Sequence, residues 1–169
     1  VVSDADRVAA AERAWQALGS VVDPEIPVLT VLDLGIVRDV DVRDDAVEVV
    51  ITPTYSGCPA THVIEHDIRR ALANAGFADA RVRTSLSPAW TTDWISAEGR
   101  EKLRKFGIAP PGAAAPAKIT LFRAAAAGVD CPHCGSPDTE RLAAFGSTAC
   151  KALYRCRACR EPFDYFKPI

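Results

Sequence analysis

The feature that most constrains this chain is a pair of Cys-x2-Cys turns, Cys131-Pro-His-Cys134 and Cys156-Arg-Ala-Cys159, separated by 21 residues. Two tight turns of this kind can each present two thiolates and their backbone amides to one tetrahedral ion, which is how zinc ribbons are built. Four thiolates match Zn²⁺ best, with iron in the same geometry as the main competitor. The flanking module holds few large apolar groups (Leu142, Phe145, Leu153, Tyr154, Phe163, Tyr165 and Phe166), too few for a self-sufficient core. Metal binding worth on the order of 10 kcal/mol would make up the difference. With four cysteines in place, His133 is expected to be solvent-exposed rather than a ligand. Cys150 stands outside the quartet and reads as a small buried hydrophobe, a redox-active thiol or a fifth sulfur near the metal. Lys151, Arg155, Arg157 and Arg160 read as a solvated ribbon face, with docking on an acidic protein as the alternative.

The other 130 residues contain one cysteine, Cys58. Apolar positions Val8, Ala11, Trp15 and Leu18 recur at helical spacing over 6–18, and Gly19 marks a stop. VVDPEIPVLTVLDLG, with prolines at 24 and 27, is expected to form an ordered extended loop. Residues 36–42 and 46–51 alternate as two strands of an antiparallel hairpin. A second helix is expected from about Pro59 to Ala73, with a buried stripe of Ala60, Ile64, Ile68, Ala71 and Leu72. A third strand follows in ARVRTSL, then a capped helix over 96–106. The expected class is α+β: a small α-β-β-α-β-α domain over 1–109, a Pro/Gly/Ala-rich linker over 110–127, and a zinc-ribbon module over 128–169. Charge supports two modules. Residues 1–109 hold 17 acids and 12 bases, whereas 128–169 hold five and six.

In Gly57-Cys58-Pro59 the thiol sits where the second helix begins. A proline at the first helical position would place Cys58 in cap geometry, facing unpaired amides and the positive end of the helix dipole, which favour thiolate. The alternative is an inert buried cysteine. His62 and His66 follow at four and eight residues and could share a helix stripe with Cys58. The helical wheel, however, puts them opposite Ile64, Ile68 and Leu72, where exposed polar residues are expected anyway. Asp23-Pro24-Glu25 could bring two carboxylates near the Cys58 turn or could simply be a proline turn with Asp23 as its cap. Trp90 and Trp94 read as core between sheet and last helix, with a partner-binding patch as the alternative.

Net charge is -2 with a pI near 5.9, which argues against nucleic-acid or acidic-lipid partners. No apolar run is long enough to span a bilayer, and the acidic amino end lacks signal-peptide character, so a cytoplasmic location is expected. No nucleophile-base pair, phosphate loop or nucleotide fingerprint appears, which argues against an enzyme.

DPEIPVLTVLDLGIVRDV followed by TPTYSGCPAT resembles the small α/β domain of the iron-sulfur assembly and targeting family, once a domain of unknown function. PAWTTDWIS, FGIAPP, CPHCGS, FGSTACKALYRC and CREPFDYFK together resemble a narrower group, the D components of bacterial phenylacetyl-CoA epoxidase systems. The resemblance implies a non-catalytic maturation factor of phenylacetate catabolism, partnered with the oxygenase or reductase subunits, and it places functional importance on Cys58, Asp23 and Glu25. It allows a transient iron-sulfur cluster and a homodimer, since one cysteine cannot supply a cluster's usual four ligands. A stably bound structural component of the complex and an electron-transfer protein with an iron-loaded ribbon are the competing readings. Related chains often end in Phe-Lys-Cys, where this chain has Pro168.

Overall fold

The computed structural model describes residues 4–43, 46–55, 57, 59–112 and 128–169. Its elements are α1 (Asp4–Leu18), β1 (Val37–Arg43), β2 (Ala46–Ile51), α2 (Ala60–Asn74), β3 (Asp79–Thr84), a 3-10 turn (Thr92–Trp94), α3 (Ala97–Lys105), β4 (Ile108–Ala109), β5 (Thr139–Ala143), β6 (Lys151–Cys156) and β7 (Pro162–Phe166). The expected α-β-β-α-β-α order is present, in an α+β arrangement of two compact units. One unit runs to Trp90 and includes Trp94–Ser96; the other comprises Thr91–Asp93 and Ala97–Ile169. Among the described residues no helix is long and apolar enough to cross a membrane.

In the first unit, β1 and β2 form the expected antiparallel pair, and β3 lies parallel to β2 on its other side. A parallel neighbour needs a crossover, and α2 supplies it. Val47, Val49 and Ile51 alternate along β2 and, with Ile68 and Leu72 of α2, are fully buried. Each such side chain contributes about 1.5–3 kcal/mol. In α1 the buried stripe is Ala10, Ala14 and Leu18, not the expected Val8, Ala11, Trp15 and Leu18; Val8 is 59% and Trp15 41% exposed. Small side chains at four-residue spacing let the helix approach closely, and the bulkier residues rotate outward.

The loop between α1 and β1 is ordered, as its prolines predict. Val22 and Thr30 bridge across it, and Val31 N–H donates to Val21 O at 2.9 Å. It ends at Gly35, whose φ of +66° favours glycine and whose added Cβ would lie 2.5 Å from the Trp94 carbonyl oxygen. Trp90 is core, its indole N–H donating to Leu34 O at 2.9 Å, whereas Trp94 is half-buried beneath the Arg38 guanidinium, 3.6 Å from the ring centroid.

The second unit is a four-stranded sheet in the order β4-β7-β6-β5. Because Ile108 and Ala109 pair with Asp164 and Tyr165 of β7, α3 and β4 group with the carboxy-terminal sheet, and the two compact units divide near residue 96. Helix periodicity could not reveal this, since a two-residue strand leaves no pattern. The core joins Tyr154 and Phe163, stacked at 5.9 Å, with Ala109, Ala152, Cys131 and Cys156; Phe166 is also fully buried. Leu142 and Phe145 lie outside it, Phe145 at 69% exposure beneath the Lys167 ammonium. Lys151, expected on a solvated face, is buried and paired with Asp164 at 3.6 Å.

Candidate functional sites: a four-thiol centre and an acidic-loop cleft

The two Cys-x2-Cys turns fold alike. Cys131 N–H donates to Ser136 O and Cys156 N–H to Glu161 O, both at 3.0 Å, so each turn closes on itself five residues later. Each also needs a left-handed residue just after its second cysteine. Gly135 takes φ +75° without steric penalty, while Arg160 takes φ +68° at a cost of about 1–2 kcal/mol. The result is convergence: the four sulfurs of Cys131, Cys134, Cys156 and Cys159 lie within 4.8 Å of one another. Cys131 and Cys159 Sγ are 3.7 Å apart, and Cys134 and Cys156 Sγ 3.6 Å. Disulfides would need about 2.05 Å. A tetrahedron with Zn–S bonds of about 2.3 Å has edges of about 3.8 Å. The donor set therefore fits a four-thiolate metal ion, which would close the turns and hold β6 to the Cys131 loop.

Without an ion the four thiols compete for protons. Cys156 is pulled down to about 7, first by the backbone N–H of Cys159 donating to its sulfur. Cys159 is pushed up to about 12: the Glu161 amide opposes the shift, but burial and the neighbouring thiols outweigh it. Cys134 is also raised, with the Ser136 amide opposing the effects of Cys156 and burial. His133 is exposed, as expected, and its ring lies against the backbone of Gly107. Cys150 is not a fifth sulfur. It precedes β6 while Cys156 ends it, a separation of about 20 Å at strand rise. Its Sγ contacts Thr148 Oγ1 at 3.0 Å. Arg155 and Arg157 both pair with Glu140, the latter at 3.1 Å.

In the first unit the 21–31 loop is built around Asp23. The Asp23 carboxylate is buried and its Oδ1 accepts the backbone N–H groups of Glu25 and Ile26, each at 2.8 Å, while Asp23 N–H donates to Leu29 O. Asp23 thus caps the proline turn and also lines a small cleft with Ile36, Ile51, Pro53, Thr54, Thr61 and Ile64. Thr54 and Thr61 flank Cys58 in sequence; Cys58 itself lies outside the described residues. Glu25 is half-buried and does not line the cleft. Helix α2 begins at Ala60 with Pro59 as its N-cap, one residue later than expected, and the cap makes no side-chain hydrogen bond. Sequence reasoning passed over Thr54, Thr61 and Thr52. The Thr52 hydroxyl is buried without a partner among the described residues, and the signal for all three was a cluster of threonines around a proline-bounded turn.

Asp23→Ala removes two charge-assisted hydrogen bonds, one buried and one part-buried, and is expected to lower the stability of the first unit by about 2 kcal/mol or more, read from its urea transition; Asp23→Asn, which keeps an oxygen acceptor, costs less. At the four-thiol centre, metal uptake must displace thiol protons, so affinity falls as pH falls. It falls more steeply below about 7, where Cys156 also binds a proton. Competition against a chromophoric chelator between pH 8 and 6 measures both the fall and the steepening.

Comparison with known proteins supports both halves. Residues 11–83 match the model of the iron-sulfur cluster assembly protein family, and residues 115–167 match that of the PaaD zinc beta ribbon domain. The first unit's fold also occurs in a crystal structure of a DUF59 domain from Bacillus anthracis, with a TM-score of 0.56 and 23% identity, covering 60% of this chain and 97% of that one. An Fe-S protein maturation auxiliary factor, YitW of Bacillus subtilis, is 37% identical over 87 residues, half of this chain and 84% of its own. An Escherichia coli protein provisionally named as the D component of 1,2-phenylacetyl-CoA epoxidase is 50% identical over 155 residues, 92% of this chain and 91% of its own. With the assembly-type domain, the four-cysteine ribbon and this end-to-end likeness, the chain belongs to the PaaD family, that of this Escherichia coli protein.

Proposed function

We propose that this protein is a non-catalytic maturation factor. It assists iron-sulfur or metal-centre assembly in the oxygenase or reductase of a phenylacetyl-CoA epoxidase system, acting through the Cys58 turn. The observation that carries this reading is the Asp23 cleft: a buried acidic residue shares a small cleft with two threonines that stand on either side, in sequence, of a cysteine at the opening of a helix. Such a turn can present one thiolate, and a single protein ligand suits cargo that must be released to a client. The cluster or metal is then cargo rather than a resident group. The names carried by the maturation-factor relatives support the same reading.

In this reading the ribbon is a docking module. Cys131, Cys134, Cys156 and Cys159 hold one structural Zn²⁺, which supplies cross-linking and no redox chemistry. Arg155, Arg157 and Arg160 line a shallow depression beside the second cysteine turn and offer an acidic partner surface a cationic contact. Arg155 and Arg157 are held in place by Glu140, which itself is drawn below the usual carboxylate range, first by its hydrogen bond from Arg155.

Replacing Cys58 with alanine is expected to leave the far-ultraviolet circular dichroism and ribbon metal content unchanged. Cells carrying only this variant should accumulate an epoxidase system with depleted iron and little activity. Normal client iron content in such a strain would contradict the proposed function.

A further inference from the structure

Helix α2 carries a motif that the proposed function does not use. His62 and His66 lie one turn apart, about 160° around the wheel from the buried residue Ile64, and both are exposed. Residues spaced i, i+4 on a helix have Cβ atoms about 5–6 Å apart, which lets two imidazole nitrogens meet at one ion. The same spacing places two histidines on one zinc in helical metalloprotease motifs. Neighbouring acids are already engaged. Glu65 accepts from Thr84 Oγ1 at 2.9 Å and pairs with Arg69 at 3.4 Å, and Asp67 pairs with Arg70 at 2.9 Å. Neither imidazole makes a hydrogen bond or ion pair among the described residues. Both rings are free to turn toward a common ligand.

We propose that His62 and His66 form an exchangeable binding site for one divalent first-row transition ion. Imidazole suits zinc, nickel, copper and ferrous iron alike. Two protein ligands leave the remaining coordination positions to water or to a receiving group, so the ion can leave as readily as it arrives. The four-thiolate centre is the opposite kind of site, with all four coordination positions supplied by the chain and so built to retain its metal. One chain would then carry a retained ion in the second unit and a transferable one on the first. The site stands on α2 geometry alone. It includes neither Cys58 nor Asp23, and its failure would leave the Cys58 reading intact.

The test is calorimetric titration of untagged full-length protein, its ribbon already holding one zinc, with Ni²⁺ as the probe. One further equivalent is expected to bind. His62→Gln and His66→Gln should each weaken that binding by about tenfold or more, since losing a ligand costs at least as much as losing a group that orients one. The double variant should lose the binding while keeping its ribbon zinc and its helix content. Absence of a further equivalent in the unaltered protein would overturn the proposal, as would unchanged uptake in the double variant, which would move the ion to another group.

Discussion

The convergence of four sulfurs is the constraint on which the second unit depends. Cys131 and Cys156 are buried and belong to the same cluster as Tyr154, Phe163 and Ala152, so the metal ligands and the hydrophobic core are one body. The sheet that carries them is small, with Tyr154, Phe163 and Phe166 as its large buried side chains. Its strands pair in the order β4-β7-β6-β5, and the second cysteine turn connects β6 to β7 while the first precedes β5. An ion at the centre therefore ties the segment leading into β5 to the β6–β7 turn. Repulsion among four ionised thiols, or the protons needed to avoid it, makes the metal-free arrangement unfavourable. The strained φ of Arg160 is tolerated because the metal turn over-determines it.

A different device organises the first unit. A buried carboxylate is expensive unless its oxygens are satisfied, and Asp23 meets that demand from the backbone of its own turn. The loop from Val21 to Val31 is thereby fixed against the sheet, with Ile26, Leu29 and Val31 as its buried anchors. Through this loop, one acidic group comes to lie beside the chain segments on either side of Cys58. In the proposed reading the two units divide the chemistry: the second holds the four-cysteine donor set and the first presents Cys58.

Much of this was legible in the sequence because it depends on spacing. The two Cys-x2-Cys turns specify the metal centre without knowledge of the sheet that holds them, and the alternation in β2 and the stripe in α2 specify the layers of the first unit. What escaped depends on tertiary context. The phase of α1 turned on whether alanine or tryptophan faces the sheet, and close approach favoured alanine. Lys151 was legible as a charge but not as the buried partner of Asp164, because the cross-strand neighbours that enclose it come from β7. The grouping of α3 with the second unit rests on a two-residue strand pairing that no periodicity announces. Asp23 was recognisable as a capping residue, yet its meeting with Thr54 and Thr61 required the fold.

Metal and sulfide analysis of anaerobically purified protein tests most directly whether structural metal and cargo chemistry occupy separate units. The unaltered chain and Cys58→Ala are each reconstituted with ferrous iron and sulfide before the measurement. One zinc per chain is expected in both proteins, with iron retained only where Cys58 is present. A reducible iron centre of equal content in both, lost on replacing Cys156, would place iron in the ribbon and contradict the division of chemistry between the two units.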